Sequence, residues 1–211
     1  MVRVWLPDRP GALGQVASRI GAVRGDVVGI EILERGGGSA IDELVVSLPD
    51  DVSRELLVAE IAQVDGVAVE DVRPIDPARP DAGMLALEIA AGLVETKPTE
   101  RLSVFCDRLR YLVDGSWALA MRADDGATLA TQGDTPDTAW LAAFFAGSRH
   151  LPADAHSAAT PGDVVWVHLE AAGISVAAGR GDRPFHTRER LQVGLLGRVV
   201  DGLLAAAFDC A

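Results

Sequence analysis

The stretch LPDRPGALGQVASRIG, residues 6–21, decides how the first part of the chain folds. Apolar residues alternate with others from Val2 to Leu6, which is the pattern of a half-buried strand. Beyond the loop, Leu13, Val16 and Ile20 recur at helical spacing. A strand therefore passes into a helix through a loop with two prolines and one glycine. This loop either only forms a turn, or it leaves backbone N–H groups at the helix start where a carboxylate binds.

The pattern around this stretch predicts the order strand-helix-strand-strand-helix-strand. The predicted strands are 2–6, 27–34, 41–48 and 67–72, and the predicted helices are 12–24 and 52–64. Three glycines, 36–38, mark a hairpin loop, and Asp50 or Asp51 is expected to cap the second helix. This order is that of the ferredoxin-like fold, an α+β architecture.

A proline-rich stretch, 75–83, is predicted to be a stiff linker between a first domain, 1–74, and a second domain, 84–211. The second domain alternates between helical and strand patterns. Its predicted helices are 84–95, 99–113, 138–146 and 187–208, and its predicted strands are 117–122, 127–131, 164–169 and 174–178.

The composition narrows the classes of function. Of the 211 residues, 49% are hydrophobic and 24% charged, as in an ordinary soluble protein. The net charge of −12 repels nucleic acid and anionic membranes, so neither is an expected partner. No apolar run reaches the roughly 20 residues of a membrane span. A strand that begins at residue 2 leaves no room for a signal peptide, so we expect a cytoplasmic protein. The single lysine is typical of a GC-rich bacterial genome.

The sequence contains no recognisable metal or catalytic motif. Cys106 and Cys210 lack the spacing of a zinc or redox site and are expected to be reduced core thiols. The four histidines lack the i, i+4 spacing of a helical metal site, and no nucleophile lies in a recognisable elbow; they are His150, His156, His168 and His186. We therefore predict no catalytic residues, no metal and no cofactor.

Three aromatic residues of the second domain are candidates for the lining of a pocket. Trp140, Phe144 and Phe145 lie on one predicted helix, where aromatic stripes are more often core than pocket. His168 lies in a predicted strand and is expected to be a hydrogen-bonded core or pocket residue.

Residues 1–74 resemble an ACT domain, the small amino-acid-sensing module of biosynthetic enzymes. The resemblance rests on Asp8-Arg9-Pro10-Gly11-Ala12-Leu13, placed between the first strand and the first helix. It implies that the ligand is a free amino acid and that two copies pair across a two-fold axis as a homodimer. The competing interpretation is that Asp8 only caps the helix and that Pro10-Gly11 only shapes the turn.

The physical chemistry of the loop agrees with the resemblance. Pro10 suits the first helical turn and Gly11 lets a ligand approach the backbone. The N–H groups of Gly11, Ala12 and Leu13 are expected to hold the ligand's carboxylate, and Asp8 its ammonium. A Gly11→Val substitution is expected to abolish binding at little cost in stability, provided that φ at this residue is negative.

The second part of the predicted site comes from the partner chain. Strand 27–34 is expected at a sheet edge, where an apolar strand is normally covered. The complete predicted ligand site is Asp8, Pro10, Gly11, Ala12, Leu13 and Gly14, closed by Val28, Gly29 and Ile30 of the partner subunit.

Residues 99–208 resemble a shortened GAF domain, another small-molecule-sensing and dimerising fold with an α/β sandwich. The resemblance rests on GISVAAGRGDRPFHTRERLQVGLLGRVVDGLL, 173–204, and on the hairpin WALAMRADDGATLATQGD, 117–134. Residues 132–162 depart from the family pattern, which puts a family-type pocket in doubt. The GAF proteins that reduce methionine sulfoxide need several grouped cysteines, so that activity is not expected.

Together these patterns predict a non-catalytic regulatory protein that binds a free amino acid through its first domain. One alternative is a detached regulatory subunit of a separately encoded biosynthetic enzyme, which would be its partner. Others are a ligand-free dimerisation scaffold and a small enzyme that uses the pocket of the second domain. The last is disfavoured because no acid–base pair or nucleophile is brought together by the sequence.

Overall fold

A computed structural model describes residues 1–149 and 161–208, and within them the chain divides into two compact units. The first unit is Met1–Arg79 and the second is Pro80–Ala211. His150, His156 and Cys210, which were considered as ligands or core residues, lie outside the described residues.

The first unit confirms the predicted order of elements. Its strands are β1 (Val2–Pro7), β2 (Asp26–Gly36), β3 (Ser39–Ser47) and β4 (Ala68–Val72), and its helices are α1 (Ala12–Ala22) and α2 (Arg54–Ile61). The four strands form one antiparallel sheet in the order β2-β3-β1-β4. This is the ferredoxin-like arrangement, and it places β2 at an edge, as expected.

Cross-strand register shows which side chains share a face of this sheet. Val2 lies opposite Leu44, and Val4 lies opposite Asp42. Val2, Val4 and Leu44 pack with residues of α1 and α2 in one buried cluster. The two helices therefore cover the face on which these residues lie, and Asp42 belongs to the same face.

Two details differ from the prediction. Helix α2 begins after Ser53, whose hydroxyl accepts a hydrogen bond from the Leu56 N–H at 3.2 Å, so neither Asp50 nor Asp51 is the cap. The proline-rich stretch is shorter than expected because Asp81 caps the next helix through the Met84 N–H at 2.9 Å.

The second unit contains a second four-stranded antiparallel sheet in the order β6-β5-β8-β7. Its strands are β5 (Trp117–Arg122), β6 (Thr128–Gly133), β7 (Val164–Leu169) and β8 (Ile174–Gly179). Its helices are α3 (Ala82–Glu95), α4 (Arg101–Leu112), α5 (Thr138–Ser148) and α6 (Thr187–Phe208). All eight elements lie close to their predicted positions.

Both faces of this sheet are buried. Ala118 and Val176 pack in a cluster with apolar residues of α3, α4 and α6. Leu119 and Ala177, the next residues along the same strands, pack in another cluster with residues of α5. The unit is therefore an α/β sandwich, as predicted, and in its described part three helices lie on one side of the sheet and one on the other.

A buried ion pair fastens the last helix to this sheet. Arg180, whose side chain is 3% exposed, donates two hydrogen bonds to the Glu189 carboxylate at 2.8 and 2.9 Å. It also donates to the carbonyl oxygens of Val113, Arg183 and Pro184. Glu189 accepts the N–H of His186 at 2.9 Å, which satisfies one backbone amide at the start of α6.

Replacing Glu189 by Gln is expected to destabilise the second unit by about 3 kcal/mol, because the buried Arg180 guanidinium loses the charge that it faces. The matched control is Glu100→Gln, which removes the exposed carboxylate of the Lys97 pair and should cost less than about 1 kcal/mol. Urea unfolding of both variants measures the difference. Equal effects of the two substitutions would show that the Arg180 pair does not hold the helix.

Candidate ligand-binding site

The loop between β1 and α1 is held by backbone hydrogen bonds, one of which reaches the turn between β2 and β3. The Asp8 N–H donates to the Gly38 carbonyl at 2.9 Å, and the Arg9 N–H donates to the Pro7 carbonyl at 2.8 Å. Gly11 is the N-cap of α1 and has a left-handed φ of 87°. Pro10 therefore lies before the cap and not in the first helical turn, where the sequence placed it. Gly11 is needed because side chains rarely adopt this conformation.

Helix α1 begins without a side-chain cap. Asp8 does not cap it, so that interpretation of the carboxylate is wrong. The Ala12 N–H donates to the Arg9 carbonyl at 3.3 Å, which engages one of the amides predicted to bind the ligand. Leu13 and Gly14 follow in the first turn, where N–H groups have no partner within a helix. These two amides are therefore the best placed to receive an anion.

Asp8 lies beside this helix start with its side chain exposed. Its nearest cationic group is the Arg35 guanidinium, with 3.9 Å between Oδ1 and Nε. The Arg35 side chain is also exposed, so the pair contributes little to stability. The carboxylate remains accessible to a cation from solution.

Asp42 is a second carboxylate near the loop, and the sequence analysis missed it. It is 3% exposed and lies in register between Val4 and Ile32 on the helix-covered face. Its Oδ1 has no hydrogen-bond partner among residues 1–149 and 161–208. Burial raises the pKa of this carboxyl, Arg35 opposes the rise, and Asp8 adds to it.

A signal for Asp42 was present in the sequence. Leu44, Val46 and Leu48 alternate along the predicted third strand, and residue 42 falls on the same side of that strand. A charged residue in an apolar row is rarely buried unless it is paired, so it marks a position worth examining.

The residues predicted to close the site lie on the edge strand β2. Ile30 and Ile32 pair with Leu44 and Asp42, so they share the helix-covered face, yet they are 53% and 37% exposed. Val28, at 62% exposure, lies where the register shifts, and Gly29 pairs with Val45. This edge therefore presents an apolar row that the helices of its own unit leave uncovered.

His168 of the second unit is held between two serine hydroxyls. Its Nε2 lies 3.1 Å from the Ser148 Oγ, and its Nδ1 lies 2.8 Å from the Ser175 Oγ. Ser148 donates its single proton to the Phe145 carbonyl, so Nε2 carries the ring proton and Nδ1 accepts from Ser175. Both serines are buried. His168 itself is half-buried, and the expectation of a hydrogen-bonded histidine is confirmed.

The aromatic residues of α5 pack mainly on one another and on β7. Trp140 stacks on Phe144 with ring centroids 5.6 Å apart, and Phe144 meets Trp166 edge-on at 5.0 Å. Phe145 is buried in the cluster beneath α5. Cys106 is also buried, which raises the pKa of its thiol to about 12 and disfavours the reactive thiolate.

A cavity of about 870 Å³ lies elsewhere in the second unit, beside the start of α4 and the β5–β6 hairpin. Its lining is largely apolar, with Leu102, Leu129 and Ile174. Arg122 also lines it, but its guanidinium is paired with Asp125 at 2.9 Å. The described residues contain no group of three or more potential metal ligands and no helix that is both long and apolar enough to cross a bilayer.

No protein-family profile matches the chain. No curated protein matches it in sequence. Among solved structures, the GAF domain of an Acinetobacter phosphoenolpyruvate-protein phosphotransferase is similar to 63% of this chain and 98% of that domain. The sequence identity is 12% and the TM-score is 0.46. A likeness at this level assigns neither a family nor a ligand.

Replacing Asp42 by Asn is expected to stabilise the ligand-free protein at pH 7 by about 1–3 kcal/mol, because the neutral amide costs less to bury than the carboxylate that it replaces. The pKa of the Asp42 carboxyl is raised in the folded protein. The cost of burying its ionised form is therefore absent below the pKa of an unfolded aspartate and grows as the pH rises toward the pKa in the folded protein. The gain should therefore shrink as the pH falls toward 4. Urea unfolding at both pH values measures it, and a destabilised variant at pH 7 would contradict the account.

Proposed function

We propose that this chain is a non-enzymatic regulatory protein whose first unit binds a free α-amino acid. The observation that carries the proposal is the uncapped start of α1, where Gly11 turns the backbone and the amides of Leu13 and Gly14 lack a side-chain acceptor. A carboxylate is favoured at the positive end of a helix. The exposed Asp8 carboxylate lies beside that end and suits the ammonium of the same molecule.

The resemblance of the loop to that of ACT domains supports the same ligand class. The resemblance of residues 99–208 to GAF domains agrees with a second sensing or dimerising unit. In this proposal the protein reports the level of an amino acid to a partner, for example a separately encoded biosynthetic enzyme of which it is the regulatory subunit. A location in the cytoplasm, where such enzymes work, is part of the proposal.

The expected affinity follows from the number of charged hydrogen bonds. A hydrogen bond to a charged group contributes roughly 1.5–3 kcal/mol. Two or three of them, offset by the freedom that the ligand loses on binding, correspond to a dissociation constant between micromolar and millimolar values. That range suits a sensor of a metabolite.

A small enzyme that uses the second unit is the weaker candidate. His168 is the histidine that lies in the strand next to the α5 aromatic residues, and both hydroxyls that it contacts are buried. Neither serine is therefore placed to attack a substrate. A ligand-free scaffold is the stronger alternative, because the exposed apolar row on β2 is a surface for self-association with or without a ligand.

Calorimetric titration with each of the twenty amino acids tests the proposal. At least one should bind the wild type, and Gly11→Val should weaken it by at least tenfold because the new side chain projects into open space at the helix start. This substitution was expected to cost little stability only if φ at Gly11 were negative. Because φ is 87°, we expect the substitution to lower the free energy of unfolding by about 1–2 kcal/mol.

The matched control for backbone strain is Gly37→Val, because Gly37 also has a positive φ and open space around its Cβ position. It should lose similar stability and keep the wild-type affinity. If no amino acid binds the wild type at millimolar concentration, the loop is only a turn and the proposed function is wrong.

We expect a homodimer that pairs through the β2 edge. Light scattering at micromolar concentration should give twice the chain mass, and Ile30→Glu should give the monomer because it puts a charge into the apolar row. The control is Leu56→Glu, at a similarly exposed residue of α2 in the same unit. A monomeric wild type would contradict the prediction that the partner subunit completes the site.

A further inference from the structure

The buried carboxylate of Asp42 requires an explanation, because the other groups of its row are apolar. On its own strand it lies between Ala40 and Leu44, and across the sheet it faces Val4 and Ile32. Its Oδ1 is unpartnered among the described residues. Buried polar atoms without a partner are rare in folded proteins and often mark a functional position or a missing ligand.

Register places this carboxylate beneath the loop of the candidate site. Ala40, two residues before Asp42, pairs with Leu6, and Leu6 and Pro7 lead directly into the loop. Pro7, the last residue of β1, pairs with Ser39, which is three residues before Asp42, so Asp42 lies about 10 Å along β3 from the level at which the loop begins. The electrostatic coupling of Asp42 to Asp8 agrees with this placement.

The charges around Asp42 favour a cation from outside the fold. The charged groups coupled to it are Asp8 from the loop and Arg35 from β2. The Asp8 carboxylate repels the ionised Asp42 carboxylate. Arg35 has an exposed side chain, and its guanidinium lies beside Asp8. A small ammonium group would compensate both carboxylates at once.

The route to Asp42 runs along the sheet edge. Ile32 lies directly opposite Asp42 on β2, the outermost strand, and is itself partly exposed. A single strand, β2, therefore separates the Asp42 position from solvent at the sheet edge.

We infer that Asp42 binds the ammonium group of the ligand together with Asp8 and makes the site specific for compounds with a free primary amine. The inference rests on the proposed function in one respect, which is that the start of α1 holds the ligand's carboxylate. Binding of a cation at Asp42 does not depend on that carboxylate. The α-hydroxy acid that corresponds to a bound amino acid should be rejected, because it leaves the carboxylate beneath the loop without a partner.

The first test compares an amino acid that binds with its α-hydroxy acid, by calorimetry on the full chain. The wild type should bind the amino acid at least 100-fold more tightly. Asp42→Asn should weaken binding of the amino acid by at least tenfold and leave binding of the hydroxy acid unchanged, so that the ratio of the two affinities falls. The control is Asp26→Asn, at an exposed aspartate where β2 begins, which should behave as the wild type. Wild-type discrimination in the Asp42 variant overturns the inference.

The second test separates this inference from the proposed function by using methylammonium chloride, which has an amine and no carboxylate. At 100 mM it should raise the Tm of the wild type by about 2 °C over sodium chloride of equal ionic strength, and it should not raise that of Asp42→Asn. Equal Tm values in the two salts overturn the inference. A methylammonium effect without binding of any amino acid supports the Asp42 site and contradicts the amino-acid sensor.

Discussion

The left-handed turn at Gly11 is the constraint on which the candidate site depends. It lets α1 begin immediately after the loop that follows β1, without any side chain over its first amides. Since α1 then runs back over the sheet, the positive end of the helix stays at the edge of the fold where β1 ends and β3 begins. Asp8 lies in the loop at this end, and Asp42 lies three residues into β3. In the proposed site the helix end supplies the positive charge and these carboxylates supply the negative charge.

This arrangement carries a cost that a purely structural loop would not need. A buried, unpaired carboxylate destabilises the ligand-free fold, and an uncapped helix start forgoes the stabilisation of roughly 1 kcal/mol that Ser, Asp or Asn provides. The same unit does cap α2, through Ser53. Helix α4 of the second unit also lacks a side-chain cap, so the start of α1 is distinguished by the nearby Asp8 carboxylate and not by the missing cap alone. In the second unit, by contrast, the buried charge of Arg180 is matched by Glu189.

Much of the fold could be predicted from the sequence because local patterns determine it. Periodicity placed β5, β7 and α6 at their observed residues, and the predicted order of elements correctly put β2 at a sheet edge. The cap of α2 was misplaced because Asp50, Asp51 and Ser53 are all good caps, and only the backbone conformation selects among them. The sign of φ at Gly11 likewise depends on how the loop closes against Gly38.

The candidate site was less predictable because it depends on contacts between distant residues. The loop residues were visible as a motif, but Asp42 is 34 positions from Asp8, and the electrostatic coupling between the two carboxylates arises only from the folded arrangement. The tautomer of His168 depends in the same way on serines from α5 and β8. The pairing of a helix start with a buried acid is thus a property of the tertiary fold.

Amide NMR of the full chain during titration with amino acids tests the central claim most directly, because it reports on each backbone N–H separately. The account predicts that a binding amino acid shifts the amide proton resonances of Leu13 and Gly14 downfield, as new hydrogen bonds to a carboxylate form. The amide of Leu56, which Ser53 already engages, should stay in place. Binding that leaves Leu13 and Gly14 unshifted would contradict the account.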